Sequence, residues 1–145
     1  MTFDEDKVPS TVDEAIDMMV AAMEPAEREA FAALDGADVH HGFGTNVRNT
    51  WSLWEQDTPL QRDFIKRFGL FGHADDISAI IIASARAKLV GGDVLAEQQR
   101  LADRFKRHWA SMGLDPLTGE RVRDMPNVWR LRIDPKTGEV IPDKA

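Results

Sequence analysis

The sequence predicts a mainly α-helical protein, a compact bundle of five or six helices with a small C-terminal β-hairpin. Two observations support this fold class. Apolar residues recur at spacings of three and four over most of the first 113 residues, and helix start and stop signals separate these stretches. Near the C-terminus the period changes to two. The predicted domains are an acidic flexible tail over 1–9, a helical domain over 10–113 and a β-hairpin appendage over 114–145.

Capping residues place the starts of several helices. Ser10 or Thr11 can cap the first helix and Asp38 the third. Thr58, which is followed by a proline, suits the fourth, and Asp93 suits the last. The predicted helices span residues 11–23, 25–35, 39–56, 60–68, 73–90 and 93–112. The fifth is rich in isoleucine and leaves little polar surface, so we expect it at the centre of the bundle.

The hairpin prediction depends on a short duplicated motif. The sequence Asp-Pro-x-Thr-Gly-Glu occurs at 115–120 and again at 134–139. Asp-Pro favours a type I turn, and the glycine favours a positive φ angle. Apolar and polar residues alternate over 128–133, so this stretch can pair with Val140 and Ile141 across the second turn.

Composition and charge exclude several classes of protein. The chain has no cysteine, which excludes a disulfide framework, a thiolate zinc site and a cysteine nucleophile. It has no apolar run long enough to cross a membrane, and its acidic N-terminus does not resemble a signal peptide, so a cytoplasmic location is predicted.

The net charge of −7 is unevenly distributed along the chain. Residues 1–38 hold eleven acids and two bases, whereas the other 107 residues hold 14 acids and 16 bases. The two parts can attract each other within one fold or between copies of the chain. The acidic part can also bind a basic partner.

The first candidate site lies in the third predicted helix. His41, Thr45 and Arg48 share its polar face, with Asn49 nearby, and an arginine there can bind phosphate or carboxylate. The alternative is an exposed polar face without a ligand. His40 points about 100° away from His41 on a regular helix, so the two histidines cannot share a metal ion.

The second candidate site lies at the start of the fifth predicted helix, at His73, Asp75 and Asp76. Acids in a first turn are favoured by the helix dipole, so capping alone can explain them. They can also meet Arg48, either in an architectural ion pair or in a site for acid–base chemistry. The candidate ligand-binding residues are therefore His41, Thr45, Arg48, Asn49, His73, Asp75 and Asp76; no metal ligand set and no cofactor is predicted.

Several motifs resemble an uncharacterised family of small helical domains of unknown function from bacteria and phages. The resemblance covers residues 8–90 and includes His41-Gly42-Phe43-Gly44, Arg48-Asn49, Trp51-x-Leu53-Trp54 and His73-x-Asp75-Asp76-x-Ser78. The chain departs from the family in having Ala74 where proline is more common and two adjacent histidines where one is usual. The resemblance implies no activity, but it implies that Arg48-Asn49 and Asp75-Asp76 form one spatial cluster.

These features predict a non-enzymatic binding module that engages a protein partner or a small anionic ligand. A small hydrolase or lyase, dependent on a metal ion or on a histidine as acid–base group, is the alternative from another class. An acidic inhibitor that mimics nucleic acid is a third. Neither a membrane nor a nucleic acid is expected as a partner, and a homodimer is compatible with the charge distribution.

Overall fold

The mainly helical class is confirmed. The computed structural model of the protein describes residue 3 and residues 6–33, 39–122, 132–133, 136–137 and 140–141. Within them lie six α-helices and one π-helical segment: α1 Val12–Ala21, α2 Pro25–Ala33, the π segment Val39–Gly44, α3 Thr45–Thr50, α4 Pro59–Phe68, α5 Ala74–Leu89 and α6 Val94–Ser111. None of the helices described is both long and apolar enough to cross a membrane.

Helix α5 is the central helix, as the isoleucine-rich sequence predicts. It packs against α1, α2, the π segment, α3 and α6. Ile77, Ile80, Ile81 and Ile82 are all buried on it. Because these side chains surround most of the helix, α5 packs apolar surface against several neighbouring elements at once.

Side-chain caps start three of the helices where the sequence places them. The Oγ1 atom of Thr11 accepts a hydrogen bond from the N–H of Glu14 at 3.1 Å. Thr58 caps α4 in the same way, and Asp93 caps α6. At the other end of α4, Gly69 adopts a left-handed conformation with φ 66° and ends the helix.

Removing the cap of α4 tests how much this local signal contributes to stability. In Thr58→Ala the N–H of Gln61 loses its 3.2 Å hydrogen bond to Oγ1, so we expect the free energy of unfolding to fall by about 1 kcal/mol. Urea denaturation followed by circular dichroism measures this loss. Thr50→Ala is the control, because that hydroxyl makes an exposed hydrogen bond to the side chain of Asn46, and its effect should stay within about 0.5 kcal/mol. Equal losses in the two variants would contradict the capping role.

The prediction of a continuous third helix over 39–56 is wrong. Its first part is the π segment, whose wider turns shift the register of the residues that follow, and α3 ends at Thr50. Ser52 and Asp57 then take positive φ angles of 51° and 58°, which no helix accommodates. As a result Trp51 is buried at 2% exposure, whereas Trp54, which the helical period places in the core, is 56% exposed.

Both segments that flank the predicted helical domain contact it. The Phe3 ring packs against Trp51 with a centroid distance of 4.9 Å. After α6, the N–H of Phe71 donates to the carbonyl of Pro116 at 2.8 Å. Gly119 has a φ of 73°, as predicted for the first turn, and a Cβ added there would lie 3.0 Å from the Phe71 ring. This turn therefore needs glycine for its conformation and for its close approach.

The predicted C-terminal hairpin is not established. Beyond Val122 the structure describes only three residue pairs, and two of these, β1 Arg132–Ile133 and β2 Val140–Ile141, are antiparallel with Arg132 opposite Ile141. Most of the second turn and residues 123–131 lie outside the described residues. A hairpin of the predicted extent stays a prediction.

Part of the charge asymmetry is compensated inside the fold. Asp13 of α1 forms an ion pair with Arg67 of α4 at 2.7 Å, and Asp17 of α1 forms one with Lys88 of α5. Acids of the N-terminal part thus contact bases from the rest of the chain, which is one of the outcomes that the sequence leaves open.

Candidate functional site

Arg48 lies at the centre of the predicted cluster and is 7% exposed. Its Nη1 donates to Ser78 Oγ at 3.0 Å, and its Nη2 donates to Thr45 Oγ1 at 3.1 Å. Its Nε lies 3.5 Å from Asp75 Oδ1. The guanidinium group therefore uses all three of its nitrogens inside the protein, and it joins α3 to the start of α5.

His73 occupies the N-cap of α5. Its Nδ1 accepts a hydrogen bond from the N–H of Asp75 at 3.1 Å, so this nitrogen carries no proton in that arrangement. The imidazole ring lies among three larger aromatic rings, with centroid distances of 6.0 Å to Trp54, 6.3 Å to Phe71 and 5.5 Å to Trp109. His73 thus has a structural role that its sequence position does not reveal.

Asp76 faces α6, and its side chain is bonded there. It is 5% exposed, and its Oδ2 accepts a hydrogen bond from Trp109 Nε1 at 2.8 Å. Burial raises the pKa of this carboxyl above its usual value. The Trp109 bond and the neighbouring His73 and His108 lower the pKa in part, whereas Asp75 raises it.

The raised pKa of Asp76 predicts a pH-dependent stability difference between wild type and Asp76→Asn. A carboxyl with a raised folded-state pKa destabilises the fold when it is ionised. This loss of unfolding free energy is present above the folded-state pKa and disappears as the pH falls below the unfolded-state pKa. Asparagine carries no charge, and its Oδ1 can still accept from Trp109. We therefore expect Asp76→Asn to be as stable as wild type or more stable at neutral pH, with the gap closing towards acidic pH.

Urea denaturation at a series of pH values measures that gap. Asp103→Asn is the matched control, because Asp103 of α6 is half-buried and accepts an exposed hydrogen bond from Gln99. A gap that widens as the pH falls would contradict the stated burial cost.

Asn49 is not among the Arg48 contacts given above. Asn49 is exposed, and its side chain makes no hydrogen bond to another described residue. The side chain of His41 lies outside the described residues. Over the part of the chain that the structure describes, no three His, Asp or Glu side chains are arranged to hold a metal ion.

A larger cavity lies elsewhere, in a groove between α5 and α6 with a volume of about 640 Å³. We call it the α5–α6 groove. Ala79, Ala83 and Ala87 line it from α5, and Leu101 and Phe105 line it from α6. This groove was not predicted from the sequence; the alanines at intervals of four were the available signal.

Three arginines line the α5–α6 groove, and two of them are engaged. Arg100 Nε donates to Glu97 Oε2 at 3.2 Å, and this pairing lowers the pKa of Glu97. Arg86 Nε donates to the carbonyl of Ala32 at 3.2 Å. Arg104 is exposed and makes no hydrogen bond or ion pair with the residues that the structure describes. It is therefore available to an anion in the groove.

A smaller cavity of about 260 Å³ lies beside His73. Trp54, Phe71 and Leu53 give it apolar walls, and Gln56 adds a polar group. Neither Asp76 nor Arg48 lines it. Of the candidate ligand-binding residues, His73 therefore lines this cavity without Arg48 and Asp76.

Comparison with known proteins places the chain in a family. A model of DUF6794, described as a domain of unknown function, matches residues 8–89, which is more than half of the chain. The chain belongs to the DUF6794 family. The DUF6794 match includes the Arg48 cluster and the α5 side of the groove and ends with α5, before α6 begins. No curated protein and no solved structure matches the chain.

Proposed function

We propose that the protein is a non-enzymatic binding module that takes up a small anionic ligand in the α5–α6 groove. The observation that carries this proposal is the combination of a 640 Å³ cavity, an apolar floor and the guanidinium group of Arg104, which bonds none of the residues that the structure describes. Cavities that bind small molecules commonly have about 300–1,000 Å³ and a few polar groups on apolar walls. A cytoplasmic location belongs to the same proposal.

The contacts of the predicted acid–base groups favour binding over the hydrolase or lyase alternative. His73 uses Nδ1 to cap α5, and Asp76 is buried against Trp109. The nitrogens of Arg48 contact Ser78, Thr45 and Asp75, so an anion would have to displace these partners to reach it. Each of these groups is therefore bonded within the fold. A catalytic group, in contrast, must be accessible to the substrate.

The inhibitor that mimics nucleic acid receives less support. Such a protein needs acids available to a basic partner, but Asp13 and Asp17 of α1 are paired with Arg67 and Lys88. These pairs reduce the negative charge that α1 presents.

Native mass spectrometry of untagged protein tests the proposed function. We expect wild type to carry a small anionic adduct that Ala83→Leu lacks, because a leucine at this position extends into the groove. Ala96→Leu is the matched control, since Ala96 is an exposed residue of α6 outside the groove, and it should keep the adduct. An adduct retained equally by all three proteins, or found on none, would count against the groove as the binding site.

A further inference from the structure

We infer that the ligand of the α5–α6 groove is a free amphiphilic carboxylate, with a single alkyl chain along α5 and its acidic head at Arg104. This inference rests on the proposed function and specifies its ligand class. Three features of the groove support it, namely the shape of the floor, the position of the unengaged cation and the charge of the walls.

The floor of the groove forms a long apolar trough. Ala79, Ala83 and Ala87 follow one another at intervals of one helical turn, and their methyl groups leave space above the helix. The lining extends along α5 from Ser78 to Val90, which is about 18 Å at the helical rise. Val90, at the far end, is 61% exposed. A single alkyl chain can cover this strip of apolar surface and remove it from water.

The position of Arg104 fixes the end at which an acidic head binds. Helix α6 runs antiparallel to α5, because Trp109 bonds Asp76 near the start of α5 while Gln98 bonds Ser84 further along it. This register places Arg104 towards the Ser78 end of the trough. The planar guanidinium group can donate two hydrogen bonds to one carboxylate. The alkyl chain then extends from Arg104 towards Val90.

The charge of the walls favours a ligand with one negative charge. Asp93 and Glu97 also line the groove, and Arg100, the nearest cation to Glu97 on α6, is bonded to it. A multiply charged ligand such as a nucleotide would be repelled by these acids. Among the cations of the described lining residues, only Arg104 is unengaged and could offset that repulsion. A carboxylate on an alkyl chain needs one cation and apolar contacts, which matches what the groove provides.

Titration with laurate, below the concentration at which it forms micelles, tests the inference on the full chain. Isothermal calorimetry gives the affinity, and amide shifts in ¹⁵N NMR spectra locate the ligand. We expect shifts along Ala79, Ala83 and Ala87, and affinity that falls roughly fourfold for each methylene removed in shorter homologues such as caprylate. Dodecyltrimethylammonium, which has an alkyl chain of similar length and the opposite charge, should not shift these residues.

Two variants separate the head from the chain. Arg104→Gln should weaken laurate binding by about fivefold, while Arg107→Gln, an exposed arginine of α6 outside the groove, should leave it unchanged. Ala83→Leu should abolish it, while Ala96→Leu should not. Equal binding of laurate to wild type, Arg104→Gln and Ala83→Leu would overturn the inference, as would shifts confined to another part of the protein.

Short anions distinguish failure of this inference from failure of the proposed function. If acetate or inorganic phosphate shifts the groove residues with an affinity equal to that of laurate, the alkyl chain contributes nothing. The inference then fails while the groove remains an anion site. If none of these probes shifts the groove residues, both the inference and the proposed function fail.

Discussion

Arg48→Met is expected to lower the free energy of unfolding by about 2–3 kcal/mol and the melting temperature by about 4–12 °C. Methionine keeps the apolar stem of the side chain but removes the donors to Ser78, Thr45 and Asp75. Ser78 is buried, so water does not readily replace the hydrogen bond that its hydroxyl loses. The ion pair with Asp75 contributes less, because the Asp75 side chain is 44% exposed.

Urea denaturation and calorimetry measure this loss, and Arg62→Met is the matched control. Arg62 pairs with Asp57 on the surface of α4, so removing it should change the unfolding free energy by no more than about 0.5 kcal/mol. Arg48→Lys should fall between the two, because lysine keeps the charge without the planar fork. If Arg48→Met were as stable as Arg62→Met, Arg48 would be available to a ligand, and the site predicted from the sequence would regain support.

The helices were predictable where their signals are local. Thr11, Thr58 and Asp93 each bond an N–H three residues further along the chain, so the sequence alone contains both partners of the cap. The isoleucine-rich stretch of α5 likewise predicts its own burial, because no polar face remains to meet water. These predictions depend on nothing outside the helix itself.

The third helix was not predictable from the same signals. A stripe through Val39, Phe43, Val47, Thr50 and Trp54 assumes a constant 3.6 residues per turn. The π segment changes that number, and Ser52 and Asp57 then leave helical geometry altogether. Gly42 and Gly44 both lie in the π segment, and glycine has a low helix propensity. At Gly42 no neighbour in the described part of the chain lies within 4 Å of an added Cβ, so close approach of such a group does not explain that glycine.

The candidate site was predictable only in part, because contacts between helices depend on tertiary packing. The sequence predicted that Arg48 and Asp75 could meet, and their side chains do form an ion pair. It gave no signal for the bond between Asp76 and Trp109, which are 33 residues apart and belong to different helices. The α5–α6 groove depends on the register of two helices, which no single stretch of sequence determines.

Phe31→Ala is expected to lower the free energy of unfolding by about 3–4 kcal/mol and to release α2 from the bundle. Phe31 is the buried residue of α2, and the other residues of this fully described helix are exposed or half-buried. Its ring contacts Phe43 of the π segment edge to face, with a centroid distance of 5.0 Å. Alanine removes this contact and leaves a cavity, so little apolar surface remains to hold α2 in place.

Hydrogen exchange distinguishes release of α2 from a general loss of stability. In Phe31→Ala the amides of α2 should exchange faster than those of α5, through a local opening. Phe64→Ala is the matched control, because Phe64 is fully buried in α4 and a similar global loss is expected without selective exchange in α2. Phe31→Leu, which keeps most of the volume, should cost no more than about 1.5 kcal/mol. If α2 exchanged no faster than α5 in Phe31→Ala, contacts other than Phe31, such as the bond from Arg86 to the Ala32 carbonyl, would hold this helix in place.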